Sequence, residues 1–290
     1  MNINSIFFVF FLFICGCGTK TQSEIGALGL MGDKISSNLT KVPDNISYTS
    51  NCLDDGTGIS QGIDFLNTIK REGLNVLGVQ ISDADQNEYG DNYHEELKNS
   101  GEWNFSSDSQ KIKELEKMLE DLLSTRNSPS SIEYSIYLLE SEIVNAFTVG
   151  GHIYITTGII EYANTESEIA FVIGHEIGHN ERGHIKTMLQ ELATAQNFAG
   201  DFGTMAASLQ QFLTPSFNQP NEIEADFYGA DLVHAAGYDA CKGIQMWKRM
   251  SEKEGNYNMF ANFLRSHPYS IIRFDCLKQH NKEYYNLDCE

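Results

Sequence analysis

The stretch Gly174-His175-Glu176-Ile177-Gly178-His179 sets two histidines four residues apart, with a glutamate directly after the first. On a helix, a step of four returns to nearly the same face, so both imidazoles can reach one metal ion. Glu176 is turned by about one residue's step, beside the metal rather than on it. A carboxylate held there can take a proton from a metal-activated water. This is the HExxH arrangement, whose chemistry is metal-assisted hydrolysis.

Two histidines do not complete a catalytic zinc site. A third protein ligand is needed, with the fourth position left for water. His184 lies five residues past His179, roughly 140° around the helix, and reads as a histidine that supports a ligand rather than one that binds. The better candidate is Glu222 in Asn221-Glu222-Ile223-Glu224-Ala225-Asp226. Asn218 with Pro220 reads as a helix start. Glu222 and Asp226 then share one face, so Glu222 can bind the metal. Asp226 can accept the free ring N–H of a ligand histidine, which fixes its tautomer and aim. Glu224 faces the other way and is the runner-up ligand. Two imidazoles and a carboxylate suit Zn²⁺.

These residues need a rigid frame. The run Glu168 to Gly174 is mostly apolar, as in a buried helix, and Thr165 with Glu168 reads as a capping box at its start. Gly174 and Gly178 leave room for another element to come close. Upstream, Ile112, Leu115, Met118, Leu119, Leu122 and Leu123 make one apolar helical stripe that serves packing. Ile132 to Leu139 alternates as a strand does. Ile143 to Thr148 and Ile153 to Thr157 read as two more strands, joined around Gly150-Gly151 in a hairpin. Ser60 to Leu97 reads as irregular helix interrupted at Gly73, Gly78 and Gly90. Residues 198–217 read equally as a lid over the cleft or a quiet connector. Helices are expected from about Pro220 to Ala236, ending at Gly237, and from about Cys241 to Lys253.

The combination resembles the HtpX and CAAX-prenyl-endopeptidase family of zinc metallopeptidases, a gluzincin group. Four segments carry the likeness: His175 to His179 followed by His184, Glu222 to Asp226, Asn145-Ala146-Phe147 through Gly150-Gly151 to Gly158, and Ser266-His267-Pro268. Together they span roughly residues 108 to 280. Val149 stands where many members carry proline before the Gly-Gly turn. Phe217-Asn218-Gln219-Pro220 stands where many carry a Ser-Arg pair. The closer likeness is to the soluble, exported LoiP- and BepA-like branch, without room for a TPR array after Pro268. The resemblance implies an α+β, mainly helical zincin-like domain with a small sheet or hairpin beside the active helix. It implies peptide hydrolysis at one zinc held by His175, His179 and Glu222, with Glu176 as base and Asp226 behind a ligand histidine. His267 is expected either as an oxyanion donor or as a fourth ligand that holds the enzyme latent, and Arg273 as an anchor of that segment against a carboxylate. The segment Ala146 to Gly151 is expected to pair with extended substrate by strand addition. The implied substrates are misfolded or misassembled exported proteins. The other reading is an envelope chaperone or binding lipoprotein that keeps the zinc and cleaves little.

The N-terminus gives an address. An apolar run from Ile6 to Cys15 has signal-peptide length and is too short to span a bilayer as a mature helix. It ends in Ile14-Cys15-Gly16-Cys17, which fits a bacterial lipobox with Cys17 as the lipid-bearing first mature residue, although no Lys or Arg precedes it. Gly18 in place of aspartate points to the outer membrane. Residues 18–60, rich in Gly, Ser, Thr and Asn, read as a tether, and 61–290 as one domain. A net charge of −20 over 290 residues excludes nucleic acid as a partner, because phosphate repulsion would oppose binding. The remaining cysteines, Cys52, Cys241, Cys276 and Cys289, suggest two disulfides in an exported chain. The pairing favoured is Cys241 with Cys276 and Cys52 with Cys289.

Overall fold

The computed structural model describes residues 25–49, 52, 80–195, 218–252, 267 and 271–290. The lipobox and the 198–217 segment lie outside them. The fold is α+β and mainly helical, with one three-stranded sheet. Among the described residues no helix is long and apolar enough to cross a membrane.

Helix α1 (Asp83–Ser100) starts with a Ser82–Asp85 capping box and ends at Gly101 in the left-handed region. Gly90 does not interrupt it. That position is where α1 crosses the Gly150-Gly151 turn so closely that a Cβ would meet Gly150 O at 2.6 Å. Helix α2 (Ser109–Ser124), capped by Asp108, turns Leu115, Met118, Leu119 and Leu122 into the core, as its stripe predicts.

Strands β1 (Ser135–Leu139), β2 (Ala146–Val149) and β3 (His152–Thr156) lie in the order β1-β3-β2. The β2–β3 pair is the expected antiparallel hairpin. Its two-residue turn has φ of 57° at Gly150 and 90° at Gly151, the backbone that favours glycine twice over. Strand β1 runs parallel to β3 on its far side, which makes β2 an edge. Alternation along the strands feeds two cores. Ile136, Leu138, Ile153 and Ile155 join the larger one, while Leu139, Val149 and Tyr154 join a smaller one with α1.

After the short α3 (Thr157–Tyr162) comes the motif helix α4 (Glu166–Glu181), buried along nearly its whole length. The capping box expected there does not form. Thr165 makes no side-chain cap bond. Glu168 is instead bonded by Arg249, 81 residues away, and by the Asn164 N–H. A buried carboxylate gains more from a guanidinium than from one backbone N–H. Helices α5 (His184–Ala195), α6 (Gln219–Ala235), α7 (Ala240–Gly243), α8 (Gln245–Glu252) and α9 (Ile271–Tyr285) complete the described chain. The single helix expected after Cys241 is therefore two short ones.

Two expectations are corrected. Residues 25–49 are not a loose tether but part of the domain. Leu28, Leu30 and Val42 enter the main core. The N–H groups of Ala27 and Leu28 donate to the Glu114 carboxylate, and those of Ile35 and Thr40 to Gly237 O and Ala235 O. These partners lie far along the chain, so local composition does not reveal them. The disulfides are Cys52–Cys276 and Cys241–Cys289. Cys276 shares a small cavity with Ser47 and Thr49 near Cys52. Beyond α9 the chain turns at Asn286 (φ 54°), and Cys289 reaches α7 with a Cα separation of 5.0 Å from Cys241.

The outer face of the sheet carries a stack of rings in which His94 lies 4.1 Å from Tyr137 between centroids. Burial, then the neighbouring His152, depresses the His94 pKa from 6.5 to about 4. A histidine held neutral in the fold contributes stability that is full above its unfolded value and falls as pH drops from about 6.5 to about 4. An NMR titration of the His94 ring is expected to show a midpoint near pH 4. A midpoint near 6.5 would contradict this packing.

Candidate metal centre

The site is built where α4 and α6 touch. At Gly174 an added Cβ would lie 3.0 Å from Gly229 Cα, and at Gly178 it would lie 2.8 Å from Ala225 O. The small residues of both helices thus allow near backbone contact, and the 175–179 face of α4 meets the 222–226 face of α6. Helix α6 starts as read: Asn218 accepts from the Asn221 N–H, with proline in the first turn.

Four donors converge. His175, His179, Glu222 and His267 each offer one atom, and these lie within 4.8 Å of one another, all buried. His175 Nε2 is 3.0 Å from His179 Nε2 and 3.3 Å from His267 Nδ1. Glu222 Oε1 is 3.4 Å from His179 Nε2 and 3.3 Å from His267 Nδ1. A tetrahedron of zinc bonds of 2.0–2.1 Å has edges of about 3.3–3.4 Å. The donor separations come close to those edges, so the residues fit a zinc ion.

Glu176 stands beside this set. Its carboxylate is buried and makes no hydrogen bond, with His267 Nε2 at 3.5 Å. Burial raises its pKa, against the opposing charges of His267 and His175. An orphaned, buried carboxylate is costly. At this position it matches a base awaiting a proton donor.

The outer groups are equally ordered. His175 Nδ1 lies 2.9 Å from Asp226 Oδ1. Arg273 from α9, wholly buried, donates to both oxygens of Asp226 at 2.7 Å and lies 2.7 Å from Glu222 Oε2. It holds the carboxylates of the centre itself rather than only the His267 segment. Burial would raise the pKa of Glu222 and of Asp226. The charges of His267 and Arg273 outweigh it at Glu222, and Arg273 outweighs it at Asp226, so both stay below the usual carboxylate range. Burial foremost, then His175, holds His179 well below the ordinary imidazole value.

His184 is not in the donor set. Its Nδ1 lies 3.1 Å from His179 Nδ1 and its Nε2 3.2 Å from Glu224 Oε2. Glu224, the runner-up ligand by sequence, pairs with Arg182 and His184 instead and points away from the donors. Burial notwithstanding, His184 and Arg182 bring its pKa down to about 2. Sequence reasoning missed two residues. Trp247, fully buried, sets its ring 5.8 Å from that of His175 and 5.7 Å from the Arg273 guanidinium. Asn180 binds the hairpin to α4. Neither belongs to a recognisable motif.

The chain is similar in sequence to proteins named as metallopeptidases or proteases. The chain is 29% identical over 159 residues to the Mitochondrial metalloendopeptidase OMA1 of Arabidopsis thaliana, covering 52% of this chain and 32% of the relative. It is 26% identical over 156 residues to the Beta-barrel assembly-enhancing protease of Yersinia pestis, covering 47% and 32%. It is 28% identical over 155 residues to the Metalloprotease LoiP of Escherichia coli (strain K12), covering 49% and 60%. The chain thus spans about a third of the length of the first two. The profile of peptidase family M48 matches residues 109–281, from the start of α2 through both motif helices into α9, which is more than half of the chain. With the HExxH helix, the Glu222-bearing helix and the hairpin all inside that match, the chain belongs to peptidase family M48.

Proposed function

We propose that this chain is a zinc-dependent endopeptidase of the bacterial cell envelope that hydrolyses unfolded or misassembled exported proteins. The observation that carries the chemistry is the unbonded, buried Glu176 carboxylate beside four converging metal donors. His175, His179 and Glu222 would hold the ion. A bound Zn²⁺ supplies Lewis-acid polarisation of the scissile carbonyl and acidifies the attacking water. Glu176 takes that water's proton and returns it to the leaving amine. The Asp226 carboxylate, 2.9 Å from His175 Nδ1, would favour the tautomer protonated there, which leaves Nε2 to face the donors. Substrate would add as a strand to the β2 edge, Ala146 to Gly151, where backbone pairing tolerates many sequences.

The location rests on other supports. The lipobox ending in Cys17 would anchor the chain by lipid at the periplasmic face, at the outer membrane by the identity of Gly18. The two disulfides suit an oxidising compartment. Two relatives are named for protease action, one of them in β-barrel assembly.

A second reading is favoured by His267. Its Nδ1 lies 3.3 Å from both His175 Nε2 and Glu222 Oε1, where it would fill the corner that a catalytic site leaves to water. A closed corner makes a resting enzyme, or a zinc-bearing chaperone that cleaves little. Replacing His267 with Ala is expected to raise cleavage of an unfolded protein about tenfold, the correction for a competent form about a tenth populated. Lost activity would make His267 an oxyanion donor instead, and no change would remove it from the mechanism.

A further inference from the structure

Asn180 follows the second motif histidine and is buried, with 2% exposure. Its carboxamide uses all of its hydrogen-bonding capacity. Oδ1 accepts from the Gly151 N–H at 3.1 Å and from Gln86 Nε2 at 3.0 Å. Nδ2 donates to Thr148 Oγ1 at 2.8 Å and to Glu176 O at 2.9 Å. One side chain therefore joins the backbone of Glu176, the edge strand, the Gly-Gly turn and helix α1. A helix-end asparagine facing water would make none of these bonds.

The strand it grips is the open edge. The Thr156 N–H donates to Asn145 O, which makes Asn145–Thr156 a hydrogen-bonded pair. Alternation along an antiparallel pair then turns the main-chain groups of Ala146 and Thr148 away from β3. Among the described residues no strand lies on that side. Thr148 is thus bonded to Asn180 through its side chain and offers its main chain outward.

We propose that Asn180 is a positioning residue that fixes the height and register of the β2 edge over the metal helix, and so sets how an extended peptide backbone meets Glu176. This rests on the peptidase reading. It predicts a loss confined to substrates long enough to pair with β2, because a short substrate spanning only the scissile bond does not use the edge.

The test uses the zinc-loaded full chain. Binding of a fluorescent eight-residue extended peptide is measured in the non-cleaving Glu176→Gln background, alone and with Thr148→Val, Asn180→Asp or both. Each single change is expected to weaken binding by at least about tenfold, the usual effect of leaving a buried polar group unpaired. The double change is expected to cost less than the product of the two, since both remove the Asn180–Thr148 bond. With Glu176 intact, the same changes should raise KM for the long peptide by a larger factor than they slow cleavage of a blocked dipeptide probe, with zinc still at one per chain. Equal losses on long and short substrates, or undiminished peptide binding, would overturn the proposal. If the parent cleaves nothing, the peptidase reading fails by itself, and the binding series still decides the role of Asn180.

Discussion

Glu176→Gln is expected to lower peptide hydrolysis by about 10³-fold while zinc remains at one per chain. The amide keeps the size and position of the carboxylate but cannot accept the water's proton. The native carboxylate makes no hydrogen bond and is 1% exposed. Neutralising it removes a buried charge and breaks no hydrogen bond, giving up only the 3.5 Å ion pair with His267, so the variant should be about as stable as the parent. Rate measurements on the purified pair, with metal content and a melting curve for each, separate the two effects. Retained hydrolysis would deny Glu176 its role, and lost zinc would make it a ligand.

Arg273→Met has the largest expected effect on stability. The guanidinium serves two carboxylates that are fully or almost fully buried, Asp226 by two bonds and Glu222 by one ion pair. Methionine fills the volume beside Trp247 but leaves Asp226 and Glu222 only the imidazoles of His175 and His267 as partners. Breaking a buried pair in this way costs about 3–5 kcal/mol. Zinc would offset part of the loss, because a ligated Glu222 has a cation of its own whereas Asp226 does not. Urea melts of the metal-free and zinc-loaded forms are expected to show the larger loss in the metal-free form. A change below about 1 kcal/mol in both would mean that Arg273 is dispensable to the centre.

The motif residues were legible because their spacing is local. A step of four on one helix fixes His175 against His179, and the same step fixes Glu222 against Asp226. Gly174 and Gly178 announced a close helix contact, although not with which helix. The Gly150-Gly151 pair announced the hairpin. What stayed hidden depends on partners distant in the chain. Nothing in Ser135–Leu139 tells that it pairs parallel to β3 rather than antiparallel to β2. The apolar residues of 25–49 follow no helix or strand period, so the sequence did not show that Leu28, Leu30 and Val42 pack into the core. The disulfide pairing turned on which turn of α9 faces residue 52. Thr165 and Glu168 formed a sound local cap signal that lost to Arg249. Asn180 read as an ordinary polar residue at a helix end, since its four partners come from α1, the hairpin and α4 itself.

The most direct test of the centre is metal removal and return. The chain is stripped with a chelator, then titrated with Zn²⁺ while cleavage of an unfolded protein is followed. Hydrolysis should vanish on stripping and return in proportion to zinc, reaching its plateau at one equivalent. Cleavage that survives stripping, or one tightly held equivalent that restores none even after His267→Ala, would contradict a single catalytic zinc held by His175, His179 and Glu222.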